Sequence, residues 1–538
     1  MLVAGFNLAD LFERVADCVP ERVAVVGGGT RLTYAALDER TTRLAHGLTE
    51  LGVRPGDHVA CYLRTSVAHL EVMLACYKAR AVPVNVNDRY VDREVAYVCG
   101  DARAVALFHD ADQAAHAAAA DVDIRVGVAT DAYEELLASG SAHRDFPERS
   151  GDDHYILYTG GTTGRPKGVV WRHEDIFFAA LGGGNPGGPP ISTPDEIVDS
   201  VLGNPAQRLR AFLPAGDPGP PQFVSLALGP LAHASGQWSA LGALLGGGKV
   251  VLHCARHVDM DHVVDLMHHE AVNALNVVGD ASARPLLDVL EEGRASDAAT
   301  VRLLGSGGSI LSHDVKRRLL AALPNLLAIV EGIGSSESPA QAVSVSTRSG
   351  VVPPSLTFAA KPETMIVDDD LHPIPAGTGV AGWLATRGRV PVGYLNDAER
   401  SARTFVEIDG ARWSLPGDMA IADADGTIRL LGRGSLCINT GGEKVYPEEV
   451  EAVLKLDPAV ADAVVVGTPD DRFGECVTAI VAPIDQDVPP TLDELRERAR
   501  PHLAGYKLPR ALHLVPFVER SAAGKADYEW ARRVAGGS

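Results

Sequence analysis

Tyr158-Thr159-Gly160-Gly161-Thr162-Thr163-Gly164-Arg165-Pro166-Lys167-Gly168 follows the strand-like run His154-Tyr155-Ile156-Leu157 and gathers glycines, three threonines and two cations in eleven residues. Glycines let successive backbone N–H groups face one concavity, the threonine hydroxyls add donors, and Lys167 adds charge. That combination wraps phosphate oxygens. A plain Gly-rich hairpin turn is the reading for a lone Gly-Gly pair, but not for this density. The segment is no Walker loop, because no Gly-Lys-Ser/Thr stands at the required spacing, and Gly524-Lys525 is followed by Ala526.

Outward from this segment the chain alternates helix and strand patterns. Leu37, Leu44, Leu48 and Leu51 fall near helical spacing with Gly52 as a C-terminal stop, HVACYL reads as a strand, AHLEVMLACYKAR as a helix and VPVNV as a strand. Such order predicts α/β layers with largely parallel sheets. Residues 182–222, rich in Gly and Pro, break the rhythm and read as an elaborate surface loop holding one short helix around PDEIVDSVLG. A second change near Gly432-Arg433-Gly434-Ser435 opens a domain-sized segment: a helix from Pro447, strands AVVVG and VTAIVAPI, a helix TLDELRERAR and a terminal strand. There is no internal repeat.

The 538 residues suffice for several domains, and 46% hydrophobic with 22% charged residues excludes fibrous and disordered classes. The net charge of −21 disfavours nucleic acid and anionic membranes as bulk partners, so an anionic ligand must be met locally. No apolar run reaches membrane-spanning length and the start carries Asp10 and Glu13, so neither a membrane span nor a signal peptide is expected. Seven cysteines without a CxxC pair fit reduced thiols in a cytoplasm. Only nine of the 49 basic residues are Lys, and four of them, Lys167, Lys444, Lys507 and Lys525, fall in segments of interest.

Further segments recur in a set order. They are Gly305-Ser306-Gly307-Gly308-Ser309-Ile310-Leu311-Ser312, Glu331-Gly332-Ile333-Gly334-Ser335-Ser336-Glu337-Ser338, Leu415-Pro416-Gly417-Asp418, Gly432-Arg433, Gly441-Gly442-Glu443-Lys444, and Ser521 through Lys525. Together with the phosphate segment they resemble, over essentially the whole chain, the adenylate-forming superfamily of acyl-CoA synthetases, luciferases and adenylation domains. The resemblance implies a large N-terminal α/β domain over 1–432 that binds ATP and an acid, and a small mobile C-terminal α+β domain over 433–538. ATP, Mg²⁺ and CoA are the implied cofactors, and ATP-dependent acyl-adenylate formation followed by transfer to CoA the implied reaction.

By the same resemblance Lys525, Glu337 and Thr163 form the catalytic set, with Glu337 also the metal ligand. ATP falls to Thr159, Gly160, Gly161, Thr162, Thr163, Gly164, Lys167, Gly307, Glu331, Gly332, Ile333, Gly334, Ser335, Ser336, Asp418 and Arg433. The acid falls to His233, Gly236, Gly308 and Gly334, and CoA to Gly441, Gly442, Glu443 and Lys444. The chemistry suits these types: an ionised Asp accepts from two ribose hydroxyls, a Glu offers a hard oxygen to Mg²⁺, and a Lys on a flexible terminal segment stabilises charge as carboxylate and α-phosphate approach.

Three positions depart from the pattern: Ile333 replaces an aromatic residue that stacks on adenine, Gly160 replaces Ser, and Ser435 replaces a charged hinge residue. His233, where amino-acid-activating domains place an Asp, disfavours amino-acid substrates. The chain ends thirteen residues after Lys525, which favours a free-standing acid:CoA ligase over one fused to a carrier domain. Gly236, Gly307, Gly308 and Gly334 suggest a wide pocket, and the segments starting at Thr159 and Gly432 resemble actinobacterial ligases for steroid side-chain and diterpenoid acids. A medium- or long-chain fatty acid, a homodimer, and an adenylating enzyme that hands its product to a partner or carrier protein stay open alternatives. The histidines 253, 257, 262, 268 and 269 read as loop and polar helix-face residues, and no GxSxG nucleophile elbow occurs.

Overall fold

Helix Tyr34–Glu50 shows how local sequence sets the layers. Thr33 caps it by accepting from the Ala36 N–H at 3.2 Å, Leu37, Leu44 and Leu48 are buried, and Gly52 takes φ +99° just past its end. The computed structural model describes residues 5–161, 164–186, 188–440, 443–470, 473–521 and 524–536.

Among the described residues three sheets organise the chain. In the first, the order is Gly393–Tyr394, Gly164–Arg172, His154–Gly161, Val82–Asn85, His58–Tyr62, Ala106–Asp110, Ile124–Val128. Its inner strands pair in parallel, whereas the two strands of the phosphate segment form an antiparallel hairpin. The second sheet has a parallel core that includes Val224–Ala227, Ala274–Val277, Leu303–Gly307 and Ala328–Ser335. It continues through antiparallel strands to Thr427–Arg433 and Asp418–Ala422. The inner parallel strands His58–Tyr62, Val82–Asn85, Ala106–Asp110 and Val224–Ala227 are buried along most of their length, as parallel strands inside a layered α/β fold are.

After Arg433 the chain enters a third, smaller sheet built on Val460–Asp470 paired with Gly474–Pro483. The strand Ala511–Leu514 joins it in parallel. The chain does not stop at that strand. Asp527 caps a further helix, Tyr528–Val534, by accepting from the Trp530 N–H at 2.8 Å, and buried Tyr528 and Ala531 seat it on the sheet. The expected surface loop over 182–222 is also only partly that. The expected short helix is there, at Glu196–Gly203, but Ile191, Ile197, Val201, Ala206 and Leu209 join the largest core cluster. Gly and Pro lower regular-structure propensity there without removing the apolar side chains that need burial.

One buried side chain ties the phosphate hairpin to the rest. The Asn85 amide donates to the carbonyls of Tyr158 at 2.9 Å and Ala232 at 2.6 Å, and its oxygen accepts from the Tyr158 N–H at 2.7 Å. Asn85→Ala withdraws three partners from buried backbone groups, and we expect a loss of about 2–4 kcal/mol in urea unfolding of the large domain.

Candidate functional site

A cavity of about 620 Å³ opens where the small domain meets the large one, beside the C-terminal ends of Leu303–Gly307 and Ala328–Ser335. Ligands of open α/β sheets settle at such strand ends. The large domain contributes Thr159 and Lys167 from the hairpin, Gly308, the run Glu331 through Glu337 and Asp418, and Arg433 stands where the two domains join. The small domain closes it with Glu448, Arg520, Lys525 and Tyr528.

Glu337 is 5% exposed. Its N–H donates to Ser335 Oγ and its carbonyl accepts from Ser414 Oγ, both at 3.2 Å. Burial alone would raise its carboxyl; the Lys167 ammonium and the Tyr394 hydroxyl outweigh that and hold it down to about 2, so it is ionised. Oε1 takes Lys167 Nζ at 2.9 Å and Tyr394 Oη at 2.7 Å. Among the described residues no partner engages Oε2. An ionised carboxylate with one free oxygen on a cavity wall fits a hard divalent cation.

Asp418 and Arg433 face each other across adjoining antiparallel strands, with Arg433 Nε 2.8 Å from Asp418 Oδ1 and Arg433 Nη1 donating to the Pro416 carbonyl at 2.6 Å. Burial pushes the Asp418 carboxyl up, and Arg433 opposes the shift. Lys525 enters from the loop around Arg520↔Ala526, held by Ser521 N–H to the Lys525 carbonyl at 2.8 Å. Its side chain is open to water within the cavity, yet protein surrounds it, and that desolvation together with Arg433 lowers its pKa.

The structure thus brings Thr159, Lys167, Gly308, Gly332, Ile333, Gly334, Ser335, Ser336, Glu337, Asp418, Arg433 and Lys525 to one cavity. Gly160, Gly161 and Gly164 lie in the hairpin strands; Thr162 and Thr163 fall outside the described residues. Glu331 also reaches the wall, but its carboxylate is tied to buried Lys316 at 2.8 Å, a structural pair. Ile333 is 5% exposed and packs with Phe358, Leu384 and Ile428, so most of its side chain serves the core beneath the cavity.

The glycines expected to leave pocket volume do not share one environment, and Gly332 beside them is also open. A Cβ at Gly236 would lie 2.3 Å from the Pro230 carbonyl oxygen, and one at Gly334 2.3 Å from that of Pro339. These two glycines answer to close backbone packing, not to pocket volume. A Cβ at Gly308 or Gly332 would meet nothing within 4 Å, and one at Gly307 only the Gly332 carbonyl oxygen at 3.8 Å. His233 and Gly236 do not line this cavity. The His233 ring is pushed down to about 4 by burial and then by Lys525 and Arg89, so it is neutral at pH 7, and its buried Nε2 has no partner among the described residues.

Glu443 and Lys444 are exposed and away from the cavity wall, and Gly441 and Gly442 fall outside the described residues. Among the described residues no group of three or more His, Cys, Asp or Glu is arranged to hold a metal, and no helix is long and apolar enough to cross a membrane. Sequence reasoning missed Tyr394, Arg400 and Trp383 at the wall or its charges, because isolated aromatic and basic residues carry no spacing signal.

The AMP-binding enzyme family matches residues 12–395, and its C-terminal domain matches residues 449–525. The chain belongs to this family. It falls in its acyl-CoA ligase branch: it is 42% identical to 3-oxocholest-4-en-26-oate–CoA ligase of Rhodococcus rhodochrous over 98% of this chain and 96% of the relative. It is 40% identical to the medium/long-chain-fatty-acid–CoA/3-oxocholest-4-en-26-oate–CoA ligase of Mycolicibacterium smegmatis, with the same coverage. The crystal structure of ATP-bound MatB from Rhodopseudomonas palustris superposes with a TM-score of 0.80 at 26% identity, covering 98% of both chains.

The junction of the two domains carries one unusual carboxyl. Glu448, at the start of helix Pro447–Leu454, accepts from the Arg433 N–H through Oε1 at 3.2 Å, while its buried Oε2, against Gly432, has no partner among the described residues. Gly432 takes φ +119°, and a Cβ there would fall 2.0 Å from Oε2. Burial, then repulsion from Glu451, raises the Glu448 carboxyl to about 8, with Asp418 adding to the rise. The folded state therefore keeps a proton that the unfolded chain releases near pH 4.5, so stability falls as pH rises from about 4.5 through 8. Glu448→Gln mimics the protonated form. Its stability relative to the parent should grow from pH 5 to pH 8 in thermal unfolding, and a pH-independent difference would exclude the buried proton.

Proposed function

We propose that this acyl-CoA ligase activates a bulky polycyclic acid of the steroid or diterpenoid kind. In the first half-reaction a carboxylate oxygen of the acid attacks the α-phosphorus of ATP, pyrophosphate leaves, and an acyl-adenylate forms. In the second, the CoA thiol attacks the acyl carbon, AMP leaves with the bonding pair, and the thiol proton passes to solvent.

The observation that carries this reading is the convergence of Lys167, Glu337, Asp418, Arg433 and Lys525 on one cavity between the two domains. The hairpin N–H groups and Lys167 meet the outer phosphates. Asp418, opposite Arg433, accepts from the ribose hydroxyls. Glu337 would hold Mg²⁺ through its free carboxylate oxygen, and the ion would screen the phosphate charge. Lys525 stabilises the charge that builds where acid and α-phosphate meet. Thr162, Thr163 and the segment Gly441 through Lys444 keep the nucleotide and CoA roles implied by their positions in the family pattern.

For the acid, the reading is supported by the relatives named for a steroid side-chain acid and by open space at Gly308 and Gly332. A second reading, a medium- or long-chain fatty acid, is favoured by the double name of the mycobacterial relative. All seven cysteines are unpaired, which fits work in a reducing compartment.

Pyrophosphate exchange across a panel of acids separates the two. We expect exchange with steroid or diterpenoid acids to exceed that with octanoate or palmitate, and the opposite order removes the polycyclic assignment. CoA consumption with the best acid then tells a complete ligase from an enzyme that passes its adenylate to a partner. Lys525→Ala should slow adenylation at least about a hundredfold, the cost of one aimed transition-state contact, and spare thioester formation from supplied acyl-adenylate. Asp418→Ala should mainly raise the KM for ATP.

A further inference from the structure

Tyr394 stands at the centre of the charged cluster, on a segment with no nucleotide-binding pattern of its own. Its Oη lies 2.8 Å from Lys167 Nζ and 2.7 Å from Glu337 Oε1, while Lys167 Nζ is itself 2.9 Å from the same carboxylate oxygen. The proton placement follows from chemistry. An ionised carboxylate only accepts and an ammonium only donates, so the phenol gives its single proton to Glu337 and accepts one from Lys167.

The backbone fixes this arrangement. The two-residue strand Gly393–Tyr394 pairs antiparallel with the returning strand of the phosphate hairpin, Tyr394 opposite Val169 and Gly393 opposite Val170. The Leu395 N–H donates to the Gly168 carbonyl at 2.8 Å, which extends the pairing toward Lys167. Side chains alternate along a strand, so Lys167 and Val169 share a face and the Lys167 ammonium reaches across to the tyrosine ring, 4.2 Å from its centroid. The ring is buried and lies against Phe405 at 5.5 Å between centroids, and the Tyr394 backbone N–H donates to Ser401 Oγ at 2.8 Å. The hydroxyl therefore has little freedom.

We propose that Tyr394 is a positioning residue for the cation site. By engaging Glu337 Oε1 it leaves Oε2 as the free ligand atom, and by accepting from Lys167 it keeps that ammonium beside the carboxylate until phosphate draws it away. When Lys167 turns to phosphate, the phenol stays as the partner of Oε1 and the carboxylate keeps its orientation. The inference rests on the reading of Glu337 as the Mg²⁺ ligand.

Tyr394→Phe removes the hydroxyl and keeps the ring, its packing and its contact with the Lys167 ammonium. Calorimetric binding of ATP with and without Mg²⁺, in the absence of acid, reads the effect directly. We expect Tyr394→Phe to weaken Mg-ATP binding about five- to twentyfold and to leave metal-free ATP binding within about twofold, with the melting temperature little changed. Glu337→Gln should weaken Mg-ATP binding at least as much, and the double variant should match Glu337→Gln alone, because Tyr394 acts through that carboxylate. Equal weakening with and without metal, a drop in melting temperature that accounts for the loss, or additive effects in the double variant would overturn the inference. If Glu337→Gln leaves the metal dependence intact, the cation reading itself fails; if Glu337→Gln removes it and Tyr394→Phe does not, only the role of Tyr394 fails.

Discussion

An excess of positive charge in one cavity governs this structure. Arg165, Lys167, Arg400, Arg433, Lys455, Arg520 and Lys525 line it against Glu331, Glu337, Asp418, Glu448 and Glu451, in a chain whose net charge is −21. Burial and Glu451 keep Glu448 protonated near neutral pH, which widens the imbalance. Like charges this close repel, and the pKa of Lys525 is lowered first by its desolvation and then by Arg433 beside it. A polyanion relieves it. In a chain of net charge −21, these cations are gathered on one cavity wall, where an anionic ligand is met locally.

That charge arrangement needs a domain contact to hold Lys525 against its neighbours. Gly524, at φ +69°, lies so close to Val278 of the large domain that a Cβ would sit 2.7 Å from Val278 Cγ1. Arg520 braces the same loop by donating to the Gly524 carbonyl at 3.1 Å while its guanidinium pairs with Asp462 at 2.7 Å. The half-buried Asp462 carboxyl in turn sits beside Lys455 at 2.9 Å. Lys525 is thus placed by backbone fit and an ion-pair chain within the small domain, and in this orientation Glu443 and Lys444 face solvent, away from the nucleotide cavity.

The legible part of the fold was the part written in periodicity and caps. Helix Tyr34–Glu50, the strand–helix alternation after it and the change of sheet after Arg433 follow from apolar spacing and from Gly52. Helix Tyr528–Val534 was not legible, because seven residues give scarcely two turns of pattern and only Asp527 announces them. Burial of the Gly- and Pro-rich stretch was hidden for the opposite reason: its apolar residues are spread too irregularly to show a period. At the site, segments dense in Gly, Thr and charge could be read directly. Tyr394 could not, since its place depends on a two-residue strand pairing with residues more than two hundred positions earlier.

The same distinction limits what the glycines say about the acid. Gly236 and Gly334 each press against a backbone carbonyl at a distance no side chain tolerates, so they would be glycine whatever acid is bound. Gly308 takes φ +85°, which is itself a reason for glycine, and its open surroundings carry only part of the volume argument. Gly332 has neither a left-handed backbone nor a close neighbour. Its lack of a side chain leaves space in the cavity that no backbone constraint requires, so among these glycines Gly332 speaks most directly for the volume of what binds there.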